Sequence, residues 1–190
     1  MSSIRLFVLG SLDARGPMHG HQLRLLAEQE RIHLWTDVSV GSLYGTLKRL
    51  AADGLIEEVR VEREGAYPER QVFGITADGR RALEALRVDG LTTVVFRPDP
   101  FDLAMTRLDP ERLDELEALI SDRVAALRAR LADQQQMNLR ADPYLTVSEK
   151  WVMQHRTDRI RAEVESHERL LLDIPRIIAD ELARKAQGHD

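Results

Sequence analysis

The stretch that most constrains this chain runs from Asp37 to Ile56. Ser39 carries the hydroxyl of an N-cap, able to accept from a first-turn backbone N–H. Asp53-Gly54 is a stop, because glycine takes the left-handed conformation after a last turn. Between them Val40, Leu43, Leu47 and Leu50 recur at threes and fours and predict a helix with one apolar stripe. Gly41, Ser42, Gly45, Lys48 and Arg49 fall on the opposite side, flanked by Tyr44 and Thr46. That outer face has no acid and little bulk before its cationic pair. Two glycines inside a short helix each cost about 1 kcal/mol against alanine. Close approach to another surface would offset that cost, and a DNA major groove, which admits a helix, is such a surface. The alternative is that the glycines are tolerated and the two cations are merely solvated.

The rest of the chain decides between these. A length of 190 residues without repeats suits one compact domain or two small ones, and a charged fraction of 31% with abundant Leu, Ala, Arg and Glu favours helices. The absence of cysteine removes disulfides and thiolate metal sites. No apolar run approaches the roughly 18–20 residues of a membrane span, and Ile4–Leu9 is too short for a signal-peptide core. A soluble, cytoplasmic protein that does not meet a membrane is expected. The net charge of −5 is concentrated late: residues 1–88 hold 12 basic and 12 acidic side chains, leaving 15 and 20 for the remainder. Recognition of a polyanion by the first half therefore has to rest on geometry more than on bulk charge.

Residues 4–14 are nearly all apolar, predicting a buried first helix, with a strand as the alternative. Gly16-Pro17 breaks it. His19-Gly20-His21 leads into a second helix with Leu23, Leu26 and Ala27 inward. A His-x-His pair can ligate a metal, but no third ligand lies nearby, so no metal site is expected. His21 is assigned to a phosphate contact or a packed ring. Trp35, in the turn before the central helix, either plugs a gap between helices or stacks on a small ligand. Ile56–Arg63 alternates with period two, and Arg70–Ile75 follows a Gly/Pro-containing tip, predicting a hairpin. Arg60, Arg63 and Arg70 are its cations, interleaved with Glu62, Glu64 and Glu69. Thr76 is an N-cap for the next helix.

This succession resembles the PadR family of bacterial transcriptional regulators. The resemblance rests on His19-Gly20, Val38 to Tyr44, Leu47-Lys-Arg-Leu50, Gly54-Leu-Ile56 and Ile75 to Arg80, within residues 4–88. His21 and Gly45 depart from it: an aromatic residue is common at the first position, and proline or a larger residue at the second. The wing tip is also less basic than many. The resemblance implies a winged helix-turn-helix, a homodimer, repression of a nearby gene from double-stranded, palindromic operator DNA, and release by a small-molecule effector. By position it makes Ser39, Ser42, Tyr44 and Arg49 reading-helix contacts and Arg63 and Arg70 wing contacts. Ser42 and Tyr44 suit phosphates, while Lys48 or Arg49 has the reach for a guanine edge. Gly41, Gly45, Thr46, His21 and Tyr67 complete the candidate DNA-binding set.

In the second half, Leu91–Phe96 is a short strand or an ordered connector. Asp99-Pro100 starts a short helix through Leu108, and Asp109-Pro110-Glu111 starts a longer one. Leu113, Leu116, Ile120, Val124, Leu127 and Leu131 then form a seam of about five turns. It suits a dimer arm, an intrachain hairpin, or both. Asp142-Pro143 ends that helix, and Ser148 begins another, with Trp151, Val152, His155, Ile160, Val164, His167 and Leu171 on or near one face. Pro175 is expected to interrupt it and Ala186–Asp190 to fray. Trp151 and His155, one turn apart, either line an effector pocket or pack in an interface.

The expected architecture is mainly α with a small β-hairpin wing. It comprises a DNA-binding domain at 1–90, a connector at 91–108 and a helical dimerisation and effector region at 109–190. No glycine phosphate loop, nucleophile elbow or His-Glu-x-x-His is present, so neither catalysis nor a cofactor is expected. The rival reading is a winged-helix interaction module that does not bind specific DNA.

Overall fold

The computed structural model describes residues 3–32, 41–63, 69–95 and 98–187. Two compact units emerge, Met1–Phe96 and Arg97–Asp190. In the first, α1 (Ser3–Arg15), β1 (Met18–His19), α2 (Gly20–Gln29), α3 (Ser42–Ala52), β2 (Ile56–Glu62), β3 (Arg70–Ile75) and α4 (Ala77–Thr92) follow in order. The apolar opening residues form a helix, not a strand, because Val8, Leu9 and Leu12 meet one core. Leu23 and Leu26 of α2, Leu43, Leu47 and Leu50 of α3, Ile56, Ile75 and Leu83 complete it. Burying a leucine of this kind contributes about 1.5–3 kcal/mol.

The sheet has three antiparallel strands in the order β1-β3-β2. The hairpin of β2 and β3 is the expected wing, while β1 is an unforeseen third strand, registering Met18 with Phe73 and His19 with Val72. Gly54 takes φ +70° after α3, as its stop signal requires. Thr76 Oγ1 accepts from Gly79 N–H at 3.0 Å and donates to the Gly54 carbonyl at 2.8 Å. Gly79 is required there: a Cβ would collide with the Leu55 carbonyl and lie 2.7 Å from Ile75 Cγ1. Of Leu91–Phe96, read as a short strand or a connector, the described residues form no strand: α4 continues through Thr92 and 93–95 carry no regular structure.

The second unit comprises α5 (Pro100–Met105), α6 (Leu116–Ala141) and α7 (Val147–Gln187). Asp99 caps α5, accepting from Phe101 N–H at 2.9 Å. The next start signal is a correction. Asp109 accepts from Glu111 N–H and closes only a turn, and α6 begins at Leu116 after a 3₁₀ turn at Leu113–Glu115. Leu113, Leu116, Ile120 and Val124 of the seam are buried, and α6 packs along α7 as an intrachain hairpin. Helix α7 begins at Val147, one residue ahead of Ser148, and Thr146 caps it: its N–H donates to Glu149 Oε2 at 2.8 Å and its hydroxyl accepts from Glu149 N–H.

The inward face of α7 also differs from expectation. Met153, Thr157, Val164, His167 and Ile174 are buried, whereas Trp151, Val152 and His155 are exposed. Asn138 of α6 donates to Thr157 Oγ1 at 2.9 Å and accepts from Gln134, so polar groups hold part of this seam. Pro175 does not interrupt α7. A helix-interior proline costs about 3 kcal/mol, yet neighbouring Ile174 is 1% exposed and packs with Leu116 and Ile120. Packing on both sides of the proline carries the helix through. Ala186 and Gln187 remain helical.

Candidate nucleic-acid interface

The first unit gathers its candidate residues where α2, α3 and the wing meet. Helix α3 begins at Ser42 with Gly41 at its N-cap position, where no side chain caps it. Ser39 and Val40, assigned to that first turn from sequence, lie outside the described residues, as do Trp35 and Tyr67. Gly41 therefore precedes the helix, and Gly45 is the one glycine inside α3, with open space around its added Cβ. Gly45, Lys48 and Arg49 are exposed and Ser42 is half-buried. Thr46 is a correction. It is 2% exposed and its hydroxyl donates to the Ser42 carbonyl at 2.9 Å. Its side chain faces the core, because a hydroxyl satisfied by the preceding turn can be buried at little cost.

Tyr44 stands half-exposed at 50% against the start of α2. A Cβ on Gly20 would lie 2.6 Å from its Cε1 and 3.2 Å from Leu47 Cδ1. The His19-Gly20 pair thus brings α2 close enough to flank the Tyr44 ring. His19 supplies a capping box: its Nδ1 accepts from Gln22 N–H at 3.1 Å and its own N–H donates to Gln22 Oε1 at 3.0 Å. Burial, with the Arg70 charge as a lesser cause, pushes the His19 pKa below its ordinary 6.5, which preserves the acceptor nitrogen. The reading from sequence left His19 and Gly20 out of the site. The spacing of His19 to Gln22 is the signal that marks them, obscured because histidine is an uncommon cap.

His21, Tyr44, Lys48, Glu69 and Arg70 border a cleft of about 350 Å³ between α2, α3 and the wing. A second cleft, of about 530 Å³, carries Glu57 and Glu58 beside Lys48 and is poorly suited to a phosphate. Charge pairing sharpens the contrast. Arg5, Arg15, Arg24, Arg60, Arg80, Arg81 and Arg87 each face a carboxylate. Among the described residues, Lys48, Arg49 and Arg63 face none; Arg31, beyond α2, is the other such cation in this unit. A unit balanced overall therefore leaves its unpaired cations mainly on α3 and the wing.

In the second unit, Trp151 and His155 stack at 5.1 Å between centroids and 23° between planes, on the exposed side of α7. Among the described residues no cluster of His, Asp and Glu is arranged to hold a metal, and no helix is long and apolar enough to cross a membrane.

Three helices, a strand-paired wing and a glycine-permitted contact between α2 and α3 define a winged helix-turn-helix protein. Residues 8–85 match the model of the Transcriptional regulator PadR-like family. That segment is similar to a family of transcriptional regulators. No curated protein matches the sequence as a relative. Among solved structures it is similar to Bacillus subtilis PadR in complex with operator DNA, at 22% identity and a TM-score of 0.66, covering 92% of this chain and 98% of that one. Bacillus subtilis PadR in complex with p-coumaric acid gives 20% identity and 0.66, over 92% and 99%. The smu.1604c protein of Streptococcus mutans UA159 gives 19% and 0.60, over 90% and 99%. At these identities the likeness establishes the fold.

Proposed function

We propose that the chain is a sequence-specific DNA-binding regulator that represses transcription as a homodimer and leaves its operator when a small molecule binds. The observation that carries this reading is the distribution of unpaired cations. Among the described residues, Lys48 and Arg49 on an acid-free helix and Arg63 on the wing form no ion pair, in a unit that pairs most of its other cations. Phosphate contacts fix the register of a protein on DNA, and base-edge contacts give specificity. Tyr44, Ser42 and His21 take the first role here; Arg49 and Lys48, with their longer reach, take the second. Gly41 and Gly45 leave the helix backbone open to the groove, and Arg70 and Tyr67 extend the contact along the wing. Residues 1–90 form the DNA-binding domain, 91–108 the connector and 109–190 the dimerisation and effector region.

Two reading helices in successive major grooves stand about 34 Å apart. The α6–α7 pair offers exposed Leu139, Tyr144, Val147 and Trp151 as apolar surface for a second copy. That Bacillus subtilis PadR has been captured both with operator DNA and with p-coumaric acid supports an effector-responsive operator binder. Trp35, Trp151 and His155 are the proposed effector contacts. Binding to a palindromic segment upstream of its own gene, measured across a salt series, tests the reading. Specific affinity that falls steeply with salt is expected. Affinity equal to that for random DNA would favour a protein-interaction module, which the acids of the wing also suit. A monomer in light scattering at about micromolar concentration would refute the dimer.

A further inference from the structure

The second unit contains a cluster of charged and aromatic groups that DNA recognition does not use. Arg123 of α6 lies at its centre. Its Nη2 donates to Asp99 Oδ2 at 2.6 Å, and its guanidinium carbon sits 4.3 Å from the centroid of the Phe101 ring. Its Nε donates to His167 Nε2 at 2.8 Å. Phe101 also packs on the His167 imidazole, with centroids 4.7 Å apart. Arginine Nε always carries its hydrogen, so His167 Nε2 must be the acceptor. The ring hydrogen then sits on Nδ1, which donates to the Glu163 carbonyl at 2.8 Å. His167 is 4% exposed and is held in one neutral tautomer.

We propose that this cluster is a proton-operated latch, in which protonation of His167 at Nε2 expels Arg123 and releases α5 from the α6–α7 pair. A proton taken from solvent occupies the lone pair that accepts the Arg123 N–H. The hydrogen bond is replaced by two cations in contact, with one of them out of solvent where screening is weak. The charged groups around the ring are Arg123 from α6, Asp99 from the α5 cap and, on α7, the Glu163 carboxylate at 3.7 Å from Nδ1. The Arg123 side chain is part-exposed and has a route to solvent.

Arg123 holds α5 by two contacts, the Asp99 carboxylate and the Phe101 face, and its departure removes both. What remains is apolar packing of Phe101, Met105 and Leu108 on the cluster of Leu116, Ile120 and Ile174. A helix of six residues has no stability of its own without such anchors. The latch concerns packing inside the second unit and stands whether or not the first unit binds DNA.

Hydrogen exchange of the full chain, corrected for intrinsic rates and compared at about pH 7.5 and about pH 5.5, brackets histidine titration and reads the latch directly. Protection of α5 is expected to fall about tenfold relative to α6 on acidification, the scale of losing a hydrogen bond to a charged group. His167→Gln keeps an acceptor for Arg123 and a donor for the Glu163 carbonyl but takes no proton, and its α5 protection should not change. Equal pH dependence in both proteins, or none in the parent, overturns the proposal. Should the variant fail to fold, imidazole nitrogen NMR of the parent decides. The Nδ1–H tautomer at neutral pH, giving way to the doubly protonated ring as α5 loosens, is expected; an Nε2–H tautomer overturns it.

Discussion

Gly20 and Tyr44 occupy one another's space: a methyl group at Gly20 would lie 2.6 Å from Cε1 and 3.1 Å from Cδ1 of the tyrosine ring. The bare backbone at the start of α2 therefore fixes where the largest exposed side chain of α3 stands. Gly20→Ala should displace the Tyr44 ring, which is half-exposed and can move, at about 1–3 kcal/mol of stability. In a Tyr44→Ala background the same change should cost clearly less, since the obstructed ring is gone. Urea unfolding of the four proteins in a double-mutant cycle measures this coupling. An equal cost in both backgrounds would place the strain on Leu47 or on the backbone instead.

Gly45 presents the opposite case, with nothing within 4 Å of its added Cβ. Gly45→Ala should stabilise the protein by about 0.5–1 kcal/mol, the usual gain for alanine in a helix interior. If α3 enters a major groove, the same methyl should weaken operator binding, so stability and affinity move in opposite directions. Thermal unfolding beside an operator titration tests both. Gly79→Ala is the control: its Cβ meets the Leu55 carbonyl, which cannot step aside, and several kcal/mol of stability should be lost.

Much of the first unit was legible because its signals are local. The stripe of Leu43, Leu47 and Leu50, the Gly54 stop, the alternation of the wing and the Thr76 cap each lie within a few residues. What escaped depends on distant partners. The two residues Met18-His19 are a strand only because β3 runs beside them. Thr46, flanking the outer face in the sequence, is buried because the Ser42 carbonyl satisfies its hydroxyl. In α7 the expected Val164 and His167 do face inward, but Thr157, satisfied by Asn138, joins them while Trp151 points outward, so apolar character misplaced the first turns of the helix. Pro175 misled for the same reason, because tertiary packing overrides a local breaker.

Thr46 and Arg49 should separate folding from binding. Thr46→Val leaves the outer face of α3 unchanged and removes a buried hydroxyl together with its hydrogen bond to Ser42. Its effect should appear in stability, within about 1 kcal/mol, with operator affinity retained. Arg49→Ala should leave unfolding nearly unchanged and weaken binding. If Arg49 reads a base, sequence discrimination should relax at one position with a cost of about 1–3 kcal/mol; if it meets a phosphate, the salt slope should fall by about 1. Normal binding by Arg49→Ala would remove this face from the interface.

The His19 capping box makes part of the stability depend on pH. Burial, and secondarily Arg70, lower the folded-state pKa of His19 below its ordinary 6.5. Above 6.5 the ring is neutral both folded and unfolded, and its contribution is complete. As the pH falls from there towards the folded-state value, the unfolded chain takes up the proton first and this stability is lost; below the folded-state value the loss stops growing. His19→Asn keeps a side-chain acceptor suited to an N-cap but does not titrate. The unfolding free energy of the parent minus that of the variant should therefore decline on acidification below about pH 6.5. Chemical denaturation at closely spaced pH values gives that difference curve. A flat curve would mean that another acceptor replaces His19 Nδ1 at the start of α2.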